Sequence, residues 1–327
     1  MSATNLAPAT AAKAVAKPLY KRIWDHASIL IIYLIMFVIL SLTVPYFFSW
    51  ENMVGLSLAI STVGIVACTM LFCLASGDFD LSVENIVATA GVIAAVVIRG
   101  TGNVWLGIMG GILSGGVVGL INGIIIAKLK INALITTLAM SQVVRGLGFI
   151  ISGGVAVGIL TPQFYVLGNN NFLAIPIPVW IMILCFVGFS TLLNRTTFGR
   201  NTMAIGGNRE AARLAGIDVD VIKIGIFTIQ GFISGLAGVV LASRMTSGQP
   251  NSSVGFSLDV ISACVLGGVS LSGGIGTMLG VIVGVIIMGT VQNAMNLLNI
   301  PTFYQYVVRG IILLLAVLFD QMKQKQN

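Results

Sequence analysis

Charge is scarce in this chain of 327 residues: Asp, Glu, Lys and Arg together make up 8% of it. A water-soluble fold carries roughly a quarter charged residues, so this chain has too few ionic groups to cover a soluble surface of its size. Histidine is nearly absent. The single one, His26, sits beside Asp25 in a polar N-terminal stretch, which excludes a histidine-built metal centre and a Ser/His/Asp arrangement. Four cysteines (Cys68, Cys73, Cys185 and Cys264) all lie inside apolar runs without CxxC spacing, and read as buried free thiols. No G-x-x-x-x-G-K-[ST] phosphate loop occurs. Leu271-Ser272-Gly273-Gly274-Ile275 imitates the signature peptide of ATP-binding-cassette ATPases, but it falls between two apolar runs and reads as a small-residue turn. No catalytic residue, cofactor or metal is expected.

Hydrophobic residues are what the chain has instead, at 57% with a mean hydropathy of +1.03. The apolar runs are long and continuous, unlike the alternating ~10-residue segments of a membrane β-barrel. The 39 glycines follow no G-X-Y period and suit close approach of membrane helices. The expected fold is all-α: a polytopic membrane helix bundle of about ten spans, near 28–48, 53–77, 83–98, 104–127, 131–153, 176–194, 221–243, 257–272, 277–297 and 302–319. Residues 28–319 then form one transmembrane domain between an N-terminal tail (1–27) and a C-terminal tail (320–327). The basic N-terminal tail has no apolar core or cleavage site, so it reads as a cytoplasmic tail and not a signal peptide. With it inside, ten spans return the C-terminus inside. Only Arg99 and Arg244 then fall outside and Arg145 and Arg309 within spans, leaving the rest of the 17 basic residues cytoplasmic. Topology therefore accounts for the net charge of +7, and no nucleic-acid partner is implied.

Two stretches interrupt the spans. Residues 154–175 carry no charge and are expected outside, whereas 195–220 are the most charged segment and are expected in the cytoplasm. Gly77-Asp78-Phe79-Asp80-Leu81-Ser82 and Ser257-Leu258-Asp259-Val260 each introduce a glycine-rich helix pair, in opposite directions by this topology. That arrangement suggests inverted-repeat halves, with a transport path at their interface.

Polar groups within the membrane are costly and mark function. Asp78 and Asp80 flank an expected break after the second span, where carboxylates could hold broken-helix backbone or face a solute; Asp259 is their counterpart. Arg145 and Arg309 need partners, which the three aspartates can supply in a buried charge network. Asn122, Asn132, Gln142, Gln292, Asn293 and Asn296 could line a conduit for a hydroxyl-rich solute, or simply join helices by hydrogen bonds. Arg244, beside Gln249, could pair with an acidic patch on a partner or mark the lipid interface.

The cytoplasmic stretch holds Glu210-Ala211-Ala212-Arg213-Leu214-Ala215-Gly216. Asn208 can cap a short helix there, Glu210 suits its first turn, and Gly216 can end it. The two alanines leave a flat face able to seat in another protein's groove. This E-A-A-x-x-x-G pattern resembles the coupling helix of ATP-binding-cassette importer permeases. The Leu-Pro pair that usually follows is replaced by Thr228-Ile229. The stretches LFCLASGDFDLSV (71–83), AKLKINALITTLA (127–139), TTFGRNTMAIGGNREAARLAG (196–216), ASRMTSGQP (242–250), ISACVLGGVSLSGGIG (261–276), NAMNLLNI (293–300) and QYVVRG (305–310) extend the resemblance to the ribose- and branched-chain-amino-acid-type permeases, in their pentose-importing branch.

The resemblance implies a homodimer in the bacterial inner membrane, cytoplasmic ATP-binding subunits, a periplasmic sugar-binding protein and surrounding lipid as partners. It implies a pentose as solute, L-arabinose first, with ribose, xylose, galactose or an autoinducer as alternatives. ATP hydrolysis is expected on the separate partner chain. An ion-coupled secondary transporter using Asp78, Asp80 and Asp259 is the rival of a different class, and it would have no use for the coupling helix. A passive channel would need a ring of pore-lining groups, which nothing in the chain distinguishes.

Overall fold

The computed structural model describes residues 19–324, so the expected tails at 1–27 and 320–327 lie partly outside the described residues. In chain order the elements are α1 (Leu19–Thr43), α2 (Trp50–Ala75), α3 (Val83–Thr101), α4 (Val104–Lys128), α5 (Ala133–Ser152), β1 (Val157–Gly158), α6 (Pro162–Asn169), β2 (Asn171–Phe172), β3 (Ile175–Pro176), α7 (Ile177–Arg195), α8 (Thr197–Gly207), α9 (Arg209–Leu214), α10 (Val219–Met245), β4 (Ser247–Gly248), α11 (Phe256–Leu266), α12 (Met278–Leu297) and α13 (Thr302–Gln324). Seven of them, α2, α3, α4, α5, α7, α10 and α12, are long and apolar enough to cross a membrane. The chain is a polytopic helical bundle.

Local chemistry sets the helix ends. Ser49, Asn103, Asn132, Thr196, Asn208, Asp218 and Thr277 cap helix N-termini with side-chain oxygens. Gly102 (φ 70°) and Gly153 (φ 66°) close α3 and α5 in the left-handed region.

The centre of the bundle is a glycine seam. On α4, Gly107, Gly111, Gly115, Gly119 and Gly123 recur every fourth residue and are all buried. Most of them face α10, where Gly231 lies against Gly115 and Gly119, and Gly235 against Gly111 and Ile112. Any Cβ on Gly119 or Gly231 would run into the opposing backbone. Close backbone contact, and not a hydrophobic driving force, joins these helices. A second packing centre surrounds α2, whose residues Ile65–Ala75 are almost wholly buried among α7, α10, α11 and α12.

Two expectations change and a third gains detail. First, the helix of α1 begins at Leu19, inside the expected tail, and ends at Thr43 instead of 48. Second, the expected span 257–272 is no continuous helix. Residues 246–255 run alongside α3, with Gly248 against Gly91 and Val92, and with the Ser253 hydroxyl donating to the Glu84 carbonyl at 2.6 Å. The helix α11 then lasts only 11 residues, about 16 Å at 1.5 Å per residue. Gly268, Gly273 and Gly274, all with φ between 75° and 88°, form the loop that follows. Apolar composition continues through this loop, so hydropathy alone reads helix where the backbone turns. Such irregular backbone is tolerated at membrane depth only when buried in protein, and here α3 and α2 enclose it. Third, residues 154–175 are folded onto the end of α10. The β1 strand pairs with β4, and the Asn169 side-chain amide donates to the Ser243 carbonyl at 2.9 Å.

Candidate functional site

The functional residues fall at two levels of the bundle. One lies at what the sequence marks as the coupling end, where α2 and α4 finish and α10 begins. The other lies toward the opposite end of α2 and α12.

At the coupling end, α9 forms over Arg209–Leu214 because Asn208 Oδ1 accepts from the Ala211 backbone N–H at 2.9 Å. Glu210 occupies the first turn, and Gly216 (φ 84°) stops the helix. The two alanines do not share an outward face. Ala211 is exposed, but Ala212 is buried against Ile205 and Val219, with Ile217 and Ile222 beside it. The helix is therefore glued to α8 and to the first turn of α10 through Ala212, and presents Arg209, Glu210, Ala211 and Arg213 outward. A groove of about 600 Å³ opens beside it, lined by Lys130, Arg209, Glu210, Arg213 and residues 216–220. Asp220 receives Lys130 at 2.9 Å and Lys128 at 3.4 Å, tying the α4–α5 turn to this loop.

Directly behind lies the break 76–82 between α2 and α3. Asp78 forms a 2.6 Å ion pair with Lys223 of α10, and both side chains are buried. The Ser76 hydroxyl donates to the same carboxylate at 3.3 Å. Asp80 turns the other way: its Oδ1 accepts from the Ser82 N–H (2.9 Å) and hydroxyl (2.6 Å), and Asn122 Nδ2 donates to Ser82 Oγ at 2.9 Å. From α5, the Thr137 hydroxyl donates to the Phe79 carbonyl and accepts the Leu81 N–H. The break is thus a fixed turn: its own Asp80 and Thr137 of α5 meet its backbone groups, and Asn122 of α4 holds the Ser82 hydroxyl. It also touches the loop after α11, since the Gly274 N–H donates to the Ala75 carbonyl at 2.9 Å and Gly206 of α8 packs against both.

At the second level, Asp259 in the first turn of α11 pairs with Arg309 of α13 at 3.0 Å. Beside it a cavity of about 60 Å³ is lined by Asp259, Gln292, Asn293 and Asn296, with apolar walls from α2 and α12. Asn293 exchanges two amide hydrogen bonds with Asn52 of α2, at 2.8 and 2.9 Å. Asn296 accepts from the buried Gln305 at 2.9 Å. At roughly 30 Å³ per water, the space is too small for a sugar and fits about two waters.

The structure brings together Asp259, Arg309, Gln292, Asn293 and Asn296, and separately Asp78, Asp80 and Asn122. Arg145 joins neither group. It stands on the exposed face of α5 with its guanidinium 5.9 Å from the Phe149 ring, because that face turns away from every aspartate. Asn132 caps α5, and Gln142 stands on the exposed face of the same helix. Arg244 does not point outward as a docking residue. It is half-buried, donating to the Thr62 hydroxyl at 3.3 Å, while Gln249 bonds to Ser247. Two residues escaped the sequence reading. Lys223 was counted as a cytoplasmic charge, and its place one turn into α10, after the capping Asp218, gives no sign that it turns inward to Asp78. Glu84 sits in the first turn of α3, yet its carboxylate accepts the Gly255 N–H at 3.0 Å and the Ser257 hydroxyl at 3.2 Å, anchoring the start of α11. Its proximity to Ser82 in sequence gives no hint of that partner.

The chain has clear relatives. Residues 52–317 match the family described as branched-chain amino acid transport system / permease component. The chain is 59% identical over 306 residues to the L-arabinose transport system permease protein of Escherichia coli (strain K12), covering 94% of this chain and 93% of that one. It is 56% identical to the L-arabinose ABC transporter permease protein of Azospirillum brasilense, over 93% and 89% of the two chains. It is 42% identical to the ribose import permease protein of Bacillus subtilis (strain 168), over 88% and 90%. No solved structure gives a significant match. With a multi-pass helical bundle and a family match spanning all but the chain's ends, the protein belongs to the branched-chain amino acid transport system / permease component family, and is a membrane transport subunit.

Proposed function

We propose that this chain is the membrane subunit of an ATP-binding-cassette importer that carries L-arabinose across the bacterial inner membrane. The observation that carries the reading is the 59% identity, along nearly the whole chain, to a permease named for that sugar. The Asn208-capped helix α9, glued by Ala212 to α8 and α10 and leaving Glu210 and Arg213 free, supports its use as the docking element for a cytoplasmic ATPase. A second copy of the chain, the ATP-binding subunits and a periplasmic sugar-binding protein complete the assembly, with lipid around it. Ten passages with both termini cytoplasmic suit the fold. The α1, α11 and α13 helices add three shorter apolar segments to the seven long ones, and the α10–α11–loop stretch returns the chain from Met245 to Gly274, beside Ala75 and α8.

In this reading ATP binding draws the α9 helices of two copies together and opens the other end of the bundle. The polar group around Asp259, Gln292, Asn293 and Asn296 lines the path, and its small cavity widens during transport. Weak, water-lined contacts suit a permease whose solute is selected by the binding protein.

The test is uptake of labelled L-arabinose into proteoliposomes holding permease, ATPase and binding protein, with ATP on the ATPase side, and with ribose as competitor. ATP-dependent uptake that excess ribose leaves intact is the expected result. Uptake of ribose in preference points to the ribose relatives, at 42% identity. Uptake that follows an ion gradient without ATP overturns the reading.

A further inference from the structure

We infer that the Lys223–Asp78 ion pair is the link through which the coupling helix moves the break between α2 and α3, so that both residues position the transport path for the ATP-driven step. The inference rests on the proposed ATP-driven reading.

The argument is one of connection. Ala212 locks α9 to Val219 in the first turn of α10. Lys223 follows one turn later on the same continuous helix, so any displacement of α9 reaches its side chain without an intervening loop. Lys223 then reaches across to Asp78 at 2.6 Å, and both side chains are at least nine-tenths buried. Asp78 is no ordinary helical residue. It lies just past Gly77 (φ 78°), and its N–H donates to the Cys73 carbonyl, so the carboxylate sits on the turn itself. The far side of that turn is held by Asp80, Ser82, Asn122 and Thr137, which join it to α3, α4 and α5. A pull at Lys223 therefore acts on the turn that runs from α2 into α3, in addition to the direct packing of α10 on both α2 and α4. Gly206 of α8 also packs on the Ala75 backbone at the same level, a second contact at the end of α2. An ion pair sealed from water resists both separation and compression. Burying two charges is costly unless they are paired, and nothing in the packing of this region requires a charge: Ile222 and Ile226 on the same helix fill comparable positions with apolar side chains.

The experiment compares three variants in the complete complex: Asp78→Asn with Lys223→Met together, Lys223→Met alone, and Lys223→Arg. The double variant leaves no unpaired buried charge, so it is the informative one if Lys223→Met alone does not assemble. The readout is sugar taken up per ATP hydrolysed. A residue that merely stabilises the fold leaves this ratio unchanged in whatever protein assembles. The expected result is a double variant that assembles and binds its ATPase, with uptake per ATP reduced by about tenfold or more, within the range of coupling energies between linked sites. Lys223→Arg, which keeps the pair, is expected to hold the ratio near the native value. A double variant with the native ratio overturns the inference. So does a double variant that cannot assemble, since the pair is then a folding element. A native complex without ATP-dependent uptake instead removes the importer reading, and that control separates the two failures.

Discussion

Two of the carboxylate–cation pairs among the described residues lie inside the bundle, and they differ in what surrounds them. Asp78–Lys223 is short, at 2.6 Å, with side chains 10% and 5% exposed, and every neighbour is packed protein. Asp259–Arg309 is longer, at 3.0 Å, with side chains 13% and 22% exposed, and it borders a polar cavity flanked by Gln292, Asn293 and Asn296. A sealed pair cannot lose a partner without stranding a charge. A pair beside amides and room for water can. The same chemistry is thus tightly enclosed beside α9 and bordered by polar groups and space toward the other end.

The contrast can be broken by deleting the cation from each pair. Lys223→Met is expected to destabilise the solubilised protein by about 3–5 kcal/mol, as for other buried pairs stripped of one partner, with most of the loss regained when Asp78→Asn is added. Arg309→Met is expected to cost well under half as much, because Gln292 and cavity water can attend Asp259. Thermal aggregation in detergent measures both. Equal losses would mean that the cavity gives Asp259 no relief. The transport readout should rank the other way for the lining: Asp259→Asn is expected to lower uptake without reducing assembly.

A smaller effect tests whether the centre of the bundle, beyond that buried pair, is held by backbone fit. Gly231→Ala places a Cβ against the Gly115 carbonyl and the Gly119 backbone, and is expected to cost about 1–3 kcal/mol through forced separation of α4 from α10. Gly146→Ala on α5 meets nothing within 4 Å and is expected to be neutral or slightly stabilising. The same aggregation assay compares them. Indistinguishable losses would sink the view that the seam is set by close backbone approach.

These differences explain what the sequence could and could not disclose. The spans that became α2, α3, α4, α5, α7, α10 and α12 were legible to within a few residues, since each is an uninterrupted apolar run bounded by a capping side chain or a glycine. The α11 region was not, because Val269 and Leu271 keep the run apolar after Gly267 and Gly268 have ended the helix. Of the charge pairing, Asp259–Arg309 followed from the rule that a membrane arginine needs a carboxylate. Arg145 obeyed no such rule, since an exposed helix face lets its guanidinium leave the core. Lys223 was hidden by its own position: a lysine one turn from a helix start is usually solvated, and only the fold shows that α10 starts against the α2–α3 break. Ala212 and Arg244 were misdirected for a related reason. Pattern identifies a helix face, but it does not say which neighbour occupies it.

The smallest expected effect belongs to the third cluster of charge, where Asp220 takes Lys128 and Lys130 at the surface beside α9. The lysine side chains are 55% and 59% exposed, so the pairing is screened by water and salt and contributes below about 1 kcal/mol. Asp220→Asn is therefore expected to leave thermal stability within error of the native protein, and raising ionic strength should erase any residue of a difference. What it removes is the tether between the α4–α5 turn and the first turn of α10. If force from α9 passes through Lys223 to Asp78, loss of this outer tether leaves uptake per ATP close to native. If the α4–α5 turn is the main route, Asp220→Asn lowers that ratio while the Asp78→Asn/Lys223→Met variant spares it. The two substitutions, measured side by side, decide whether the coupling helix acts through the buried joint or through the surface clasp.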